Sequence, residues 1–472
     1  MIRYDGFEHL LRDKADHMPD MTALVCEKDG NTVNMSFFQF RKEVLDRAAF
    51  WENSGKTCLG ILCDGSLECV LTVFASVIAG LQTVMLDENA SDELLQEQIR
   101  YTDTDVLWGD EELVSSLNPF LTDGIPPAAS EAGSGCPDSS DTKKNRPGKG
   151  NILFFTSGTT SQVKAVTLTD ASLMSSAYNG SCMLPLHSSD RLMCMLPLNH
   201  VFGFVCSLLW GLSCGASVAL GRGPRHYLDD MSFFHPTAVS AVPMLLGFLL
   251  NMNAFNEELD LILVGAGDCP EEMLKGVQNK GIRVSFGYGL TETSSGVAIS
   301  TSGDPFAMDI CPDDTITIAP DQEILIQSPT CMMKGYYKHP EDTAEVLKEG
   351  VLYTGDLGMI DDQGKLYIIG RKKEMLVLSD GTKIFLPEYE AQLSLVLEGR
   401  DFAVVEKDCA PVLVIRGDES EKKQIQKQLK GIMSRRSRGQ QLRDIILIGT
   451  PMPRTTTGKI KRWELMEMIR HL

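Results

Sequence analysis

The chain has 472 residues, 43% hydrophobic and 23% charged, with a formal net charge of −20. That length exceeds what one hydrophobic core organises, so two or more domains are expected. The acidic balance excludes a general nucleic-acid or anionic-membrane binder, which needs a basic footprint.

The first twenty residues, MIRYDGFEHLLRDKADHMPD, are charged throughout and lack the apolar core of a signal peptide. Thirteen scattered cysteines, with no C-x-x-C pair and no histidine at zinc-ligand spacing, suggest neither a metal cluster nor a disulfide framework. They fit a reducing, cytoplasmic setting. The first 112 residues alternate amphipathic helix (FEHLLRDKADHM), buried strand (CLGILC) and apolar helix (LECVLTVFASVIAGL), which is α/β material. Residues 117–150 are rich in Pro, Gly, Ser and Asp and predict a mobile linker.

At 154–170 an apolar strand enters FFTSGTTSQVKAVTLTD. Gly158 permits a tight turn, while Thr156, Ser157, Thr159, Thr160 and Ser161 supply hydroxyls beside free N–H groups, and Lys164 adds an ammonium. Such a concavity suits phosphate oxygens; the alternative is a Ser/Thr-rich surface turn. It is not a Walker A loop, because Val163 rather than glycine precedes the lysine and AVTLT continues as a strand, not a helix. The helix over ASLMSSAYN is capped by Thr169 or Asp170.

Residues 201–220, VFGFVCSLLWGLSCGASVAL, carry no charge over a length that spans a bilayer. Three glycines and the strand-like GASVALG predict a buried helix and strand instead, with no membrane span. Further α/β units follow through TAVSAVPMLLGFLL, LDLILVGAG, EEMLKGVQNKG and RVSFGYG. Beyond 305, short strands such as TITIA and EILIQS predict a small β subdomain, and the last hundred residues a separate α+β domain. From 430 onward ten Lys and Arg face three Asp and Glu, a basic lid on an acidic chain.

Three more stretches carry chemistry. SFGYGLTETSS (285–295) offers an aromatic, a hydroxyl and a carboxylate around a glycine turn. LYTGDLGMIDDQGKLYIIGRKKE (352–374) offers Asp356 as an acceptor for a ribose diol, with Arg371 beyond. PRTTTGKIKRWEL (453–465) places Lys459 after a glycine in a Thr-rich loop. Each taken alone also fits a surface turn.

The four stretches in this order resemble the adenylate-forming superfamily of acyl-CoA synthetases, nonribosomal peptide adenylation domains and firefly luciferase, over about residues 7–469. The resemblance implies an N-terminal AMP-binding domain (1–370) of two α/β subdomains plus a small β subdomain, and a mobile α+β domain (371–472). It implies that Thr156, Ser157, Gly158, Thr159, Thr160 and Lys164 hold the β and γ phosphates of ATP. Tyr288 is similar to the adenine-stacking aromatic, followed by Gly289; Thr291 meets the α phosphate and Glu292 the Mg2+. Asp356 and Arg371 resemble the ribose pair, and Gly265, Ala266 and Gly267 the loop lining the adenine and acyl sites. Lys459 matches the lysine that stabilises carboxylate attack on the α phosphorus, and Lys373 the hinge position. Gly381 lies in a loop similar to the one lining the pantetheine tunnel. The phosphate loop departs from the family pattern at Ser161, Val163 and Ala165; a positive φ at 161 would cost serine about 1 kcal/mol.

The implied reaction is ATP-dependent adenylation of a small-molecule carboxylic acid, then transfer to coenzyme A. An acyl carrier protein is the alternative acceptor, and a non-catalytic nucleotide-binding relative the second alternative. Amino-acid-activating relatives commonly carry an aspartate near His200, whereas no acid occurs between Asp190 and Asp229. A fatty or other apolar acid is therefore expected, with His200 and Phe202 near the acyl pocket.

Overall fold

The short apolar strands of the middle of the chain set the architecture. The computed structural model describes residues 1–121, 150–156, 164–267, 269–378, 383–407, 410–454 and 460–470. In its nine-stranded sheet, Thr22–Lys28, Ser217–Leu220, Arg191–Cys194, Ala238–Ala241, Leu261–Val264 and Arg283–Leu290 are parallel neighbours in that order. Antiparallel strands finish both edges. A six-stranded sheet runs parallel through Val106–Trp108, Cys58–Cys63, Gln82–Asp87 and Asn151–Phe155, then antiparallel through Ala165–Thr169 and Gly335–Tyr336. The two sheets share one core, in which Phe7 stacks on Phe74 at 4.4 Å and Phe154 meets Phe204 at 5.8 Å between centroids.

A five-stranded antiparallel sheet, including Thr315–Ile318, Glu323–Gln327, Val351–Ile360 and Leu366–Arg371, makes the β subdomain. The C-terminal module has its own core: the strands Phe402–Lys407, Ala410–Arg416 and Asp444–Ile448 under the helices Leu386–Ser394, Lys422–Met433 and Arg462–Met468. This is the α/β architecture expected, with a larger N-terminal part and a smaller α+β part.

The uncharged run folds as a helix over 201–214 whose centre, Phe204–Leu209, widens to a π-helix. Gly215 ends it at φ 80°, and the strand Ser217–Leu220 follows. No described helix is long and apolar enough to cross a membrane. Thr169 rather than Asp170 caps the helix Asp170–Met183, through Ser172. Asp170 instead accepts the N–H of Phe7 at 3.0 Å, tying in the first helix. At the start of the linker expected over 117–150, Leu117 is buried at the end of the helix Glu111–Leu117, and Asn118–Phe120 form a 3-10 turn. Residues 122–149 lie outside the described residues.

One buried acid has a consequence for stability. Asp314 is 8% exposed; its Oδ2 accepts from Asn179 Nδ2 at 3.2 Å, and its Oδ1 has no partner among the described residues. Burial pushes its carboxyl pKa up to about 7, well above the ~3.9 of an unfolded aspartate. The folded chain thus holds this proton more tightly. Its contribution is full below about pH 4 and is lost as pH rises through about 7. Asp314→Asn, which mimics the protonated acid, is expected to raise Tm by a few degrees at pH 8 and progressively less towards pH 4. Equal shifts at pH 5 and pH 8 in a thermal scan would contradict this.

Candidate active site

The strands Asn151–Phe155 and Ala165–Thr169 form the antiparallel pair expected around the phosphate-type loop. The N–H of Thr156 donates to Lys164 O at 3.2 Å and closes its base. Ser157, Gly158, Thr159, Thr160, Ser161 and Val163 lie outside the described residues. Ala165 is fully buried and pairs with Phe155, so its methyl is packed within the strand.

Lys164 is not a free cation. Its Nζ lies 2.7 Å from Asp342 Oδ2 and 5.6 Å above the centre of the Tyr336 ring. His339 Nδ1 is 3.4 Å from the same carboxylate oxygen. The ion pair with Lys164 holds the Asp342 carboxyl below the ordinary range.

The hydroxyl of Tyr336 donates to Glu292 Oε1 at 2.7 Å. The residue expected to meet phosphate and the one expected to meet metal therefore converge on one tyrosine, which sequence reasoning missed. Glu292 sits in the 3-10 turn Thr291–Thr293, and its carbonyl accepts the N–H of Met333 at 2.8 Å. Burial, then the Glu292 charge, raises the Tyr336 phenol pKa, so it remains a donor. One glutamate, with one oxygen engaged by a neutral hydroxyl, suits a Mg2+ that arrives with phosphate oxygens and keeps part of its water shell. Among the described residues no cluster of three His, Cys, Asp or Glu forms a metal cage.

The turn is built by close approach. A Cβ at Gly289 would lie 1.8 Å from Ser295 O, so only glycine fits there. Ser294 (φ 54°) and Ser295 (φ 105°) both take positive φ, strain of the kind concentrated at functional sites.

Tyr288, 9% exposed, donates its hydroxyl to Asp356 Oδ2 at 2.8 Å, and Arg371 Nε lies 2.9 Å from Asp356 Oδ1. The pairing of Asp356 with Arg371 across adjacent strands explains how residues fifteen apart in the chain meet. Burial, then Asp356, raises the Tyr288 pKa well above that of a free phenol.

Gly265 and Ala266 follow the strand Leu261–Val264, with Ala266 at φ 61°, and Gly267 completes the loop against Pro243. A Cβ at Gly265 would lie 2.9 Å from the Phe202 ring, so the ring rests directly on the backbone. His200 starts the helix that carries Phe202. Its ring reaches solvent yet is walled by protein; lost solvation lowers its pKa, opposed by Asp87, so it is neutral at pH 7.

Lys373 is placed elsewhere. Lys373 lines a groove of about 540 Å³ on the C-terminal module with Lys407, Arg462 and Trp463. The basic lid is partly structural: Arg462 binds both oxygens of Glu390 at 2.7 and 2.9 Å, and Arg454 pairs with Asp401 at 2.7 Å. Gly381 and Lys459 lie outside the described residues.

The family model described as AMP-binding enzyme matches residues 11–337. The 2-succinylbenzoate–CoA ligase of Bacillus velezensis is 29% identical over 405 residues, 81% of each chain. A solved anthranilate CoA ligase bound to anthranoyl-AMP superposes with a TM-score of 0.79 at 20% identity, covering 100% of this chain and 98% of that one. The O-succinylbenzoate coenzyme A synthetase of Bacillus subtilis, with ATP and magnesium ion, superposes with a TM-score of 0.74 at 22% identity, covering 97% and 98%. At these identities the structural matches speak for the fold.

Proposed function

Since the chain belongs to the AMP-binding enzyme family and is an AMP-forming acid–thiol ligase using ATP, Mg2+ and coenzyme A, we propose that its acid substrate is an aryl carboxylic acid. The observation carrying this reading is the half-buried Phe202 ring, two residues from His200 and seated against the backbone of Gly265. An aromatic side chain beside the acid favours a planar ring, which has little conformational entropy to lose. The similar ligases are named for 2-succinylbenzoate and anthranilate, both aryl acids. The fatty-acid expectation rested on the lack of an acid over 191–228; that run excludes an ammonium partner but does not distinguish a chain from a ring. The carrier-protein alternative falls away, because these relatives are coenzyme A ligases.

In this reading Asp356 holds the ribose, Tyr288 lies beside the adenine, Thr291 addresses the α phosphate, and Glu292 would hold Mg2+. Mg2+ supplies charge neutralisation on the phosphate oxygens. Lys164, steered by Asp342 and Tyr336, holds the leaving phosphates. Neutral His200 accepts or donates one hydrogen bond at the acid without adding charge.

Acid-dependent ATP–pyrophosphate exchange tests the assignment. Benzoate, anthranilate and 2-succinylbenzoate are compared with acids from acetate to C16. At least one aryl acid is expected to exceed every aliphatic acid about tenfold in kcat/KM. A maximum at a fatty acid would overturn it.

A further inference from the structure

We propose that Glu323 is a two-ended positioning residue, joining the turn that carries Asp356 to the start of the C-terminal module. The inference rests on Asp356 being the ribose carboxylate. Glu323 is 7% exposed, and its two oxygens point to different tasks. Oε1 accepts the N–H of Gly355 at 2.9 Å, one residue before Asp356. Oε2 lies 2.9 Å from Lys372 Nζ, which is also 2.6 Å from Asp321 Oδ2. The same turn is stitched to the strand of Glu323 by Thr354, whose hydroxyl donates to Ile324 O at 2.8 Å and accepts from Asp356 N at 3.0 Å.

Two consecutive cations are thereby fixed to the β subdomain: Arg371 by Asp356, and Lys372 by Glu323 and Asp321. Phe385, from the first hairpin of the C-terminal module, lies over Gly370, where a Cβ would meet its ring at 2.0 Å. Lys373, the next residue, is exposed and lines the groove of the C-terminal module. The chain is therefore held firmly up to 372 and changes allegiance at 373. Because Glu323 and Asp356 share the Gly355 turn, a nucleotide that stiffens Asp356 also stiffens the anchor of Lys372. Orientation of the C-terminal module and occupancy of the ribose site then share a single carboxylate.

The test is hydrogen–deuterium exchange of the full chain with and without AMP, for wild type, Glu323→Gln and Lys372→Met, with Tm recorded for each. Glu323→Gln keeps an acceptor for Gly355 but removes the charge facing Lys372; Lys372→Met removes the cation alone. In wild type, AMP is expected to slow exchange at 352–357 and at 370–376. In both variants protection at 352–357 persists, while protection at 370–376 falls at least tenfold. Overall thioester formation is expected to lose about tenfold in kcat with KM for ATP within about threefold, and Lys372→Arg to restore most of it. Protection of both segments in both variants overturns the coupling. Wild-type protection at 352–357 without protection at 370–376 also overturns it. AMP binding that protects neither segment instead rejects Asp356 as the ribose site, and the proposal with it.

Discussion

Lys459→Ala is expected to lower acid-dependent ATP–pyrophosphate exchange by about 10²- to 10³-fold, the loss typical when a fixed cation aimed at developing charge is removed. Thioester formation from a chemically prepared acyl-adenylate should change less than about threefold. The asymmetry follows from where charge accumulates. Attack on the α phosphorus loads its oxygens with negative charge at once, whereas thiol attack first loads the acyl oxygen, and AMP, a good leaving group, carries the charge away as the acyl C–O bond breaks. The loop has a firm base: Arg454 bridges Ile460, Lys461 N donates to Pro453 O at 2.8 Å, and Arg454 pairs with Asp401. Lys459 is thus one residue from an anchored point, and truncating its side chain leaves that base intact. Equal losses in both half-reactions would show that the variant harms a shared step and would reject this role for the lysine.

Glu292→Gln should cost about 10²-fold in kcat at millimolar Mg2+. The amide keeps an acceptor for the Tyr336 hydroxyl, so the turn stays in place while the charge addressing the metal is lost. Tyr336→Phe separates the two roles of that tyrosine. It keeps the ring under Lys164 and removes the hydroxyl from Glu292. A smaller loss, about three- to tenfold, is expected there, with a raised Mg2+ requirement that saturating metal recovers. Steady-state rates over a Mg2+ titration distinguish the two variants. If Glu292→Gln responds to Mg2+ as wild type does, the carboxylate is not the metal ligand.

Much of the fold was legible because its signals are local. The helix of FEHLLRDKADHM, the strand CLGILC and the strand–loop–strand at 151–169 follow from periodicity within a dozen residues. Even the uncharged run over 201–220 betrayed its burial through its glycines. The carboxylate at 292 and the pair 356/371 were legible from motifs, since each sits in its own glycine turn. The residues that connect them were not. Tyr336 lies 44 positions from Glu292, and Glu323 lies 49 from Lys372. Neither stands in a distinctive local pattern, and only the strand pairings bring them together. The structured turn at 117–120 was not legible, because Leu117 and Phe120 are few apolar residues in a polar neighbourhood, yet they pack against the second sheet. The class of acid was less legible for a related reason: a count of charges along a segment excludes an ammonium partner but does not distinguish a ring from a chain.

The pairing of Lys164 with Asp342 also bears on turnover. A polyphosphate that engages this ammonium must compete with a carboxylate at 2.7 Å, and both partners are about a quarter exposed. A partly exposed pair of this kind is weak in water, so the competition loosens the grip on any anion only modestly. After bond cleavage that same competition favours departure, because the lysine has a waiting partner and pyrophosphate need not leave behind an unneutralised charge. Where Lys164 holds the leaving phosphates, Asp342 would trade a little affinity for easier release of the inorganic product.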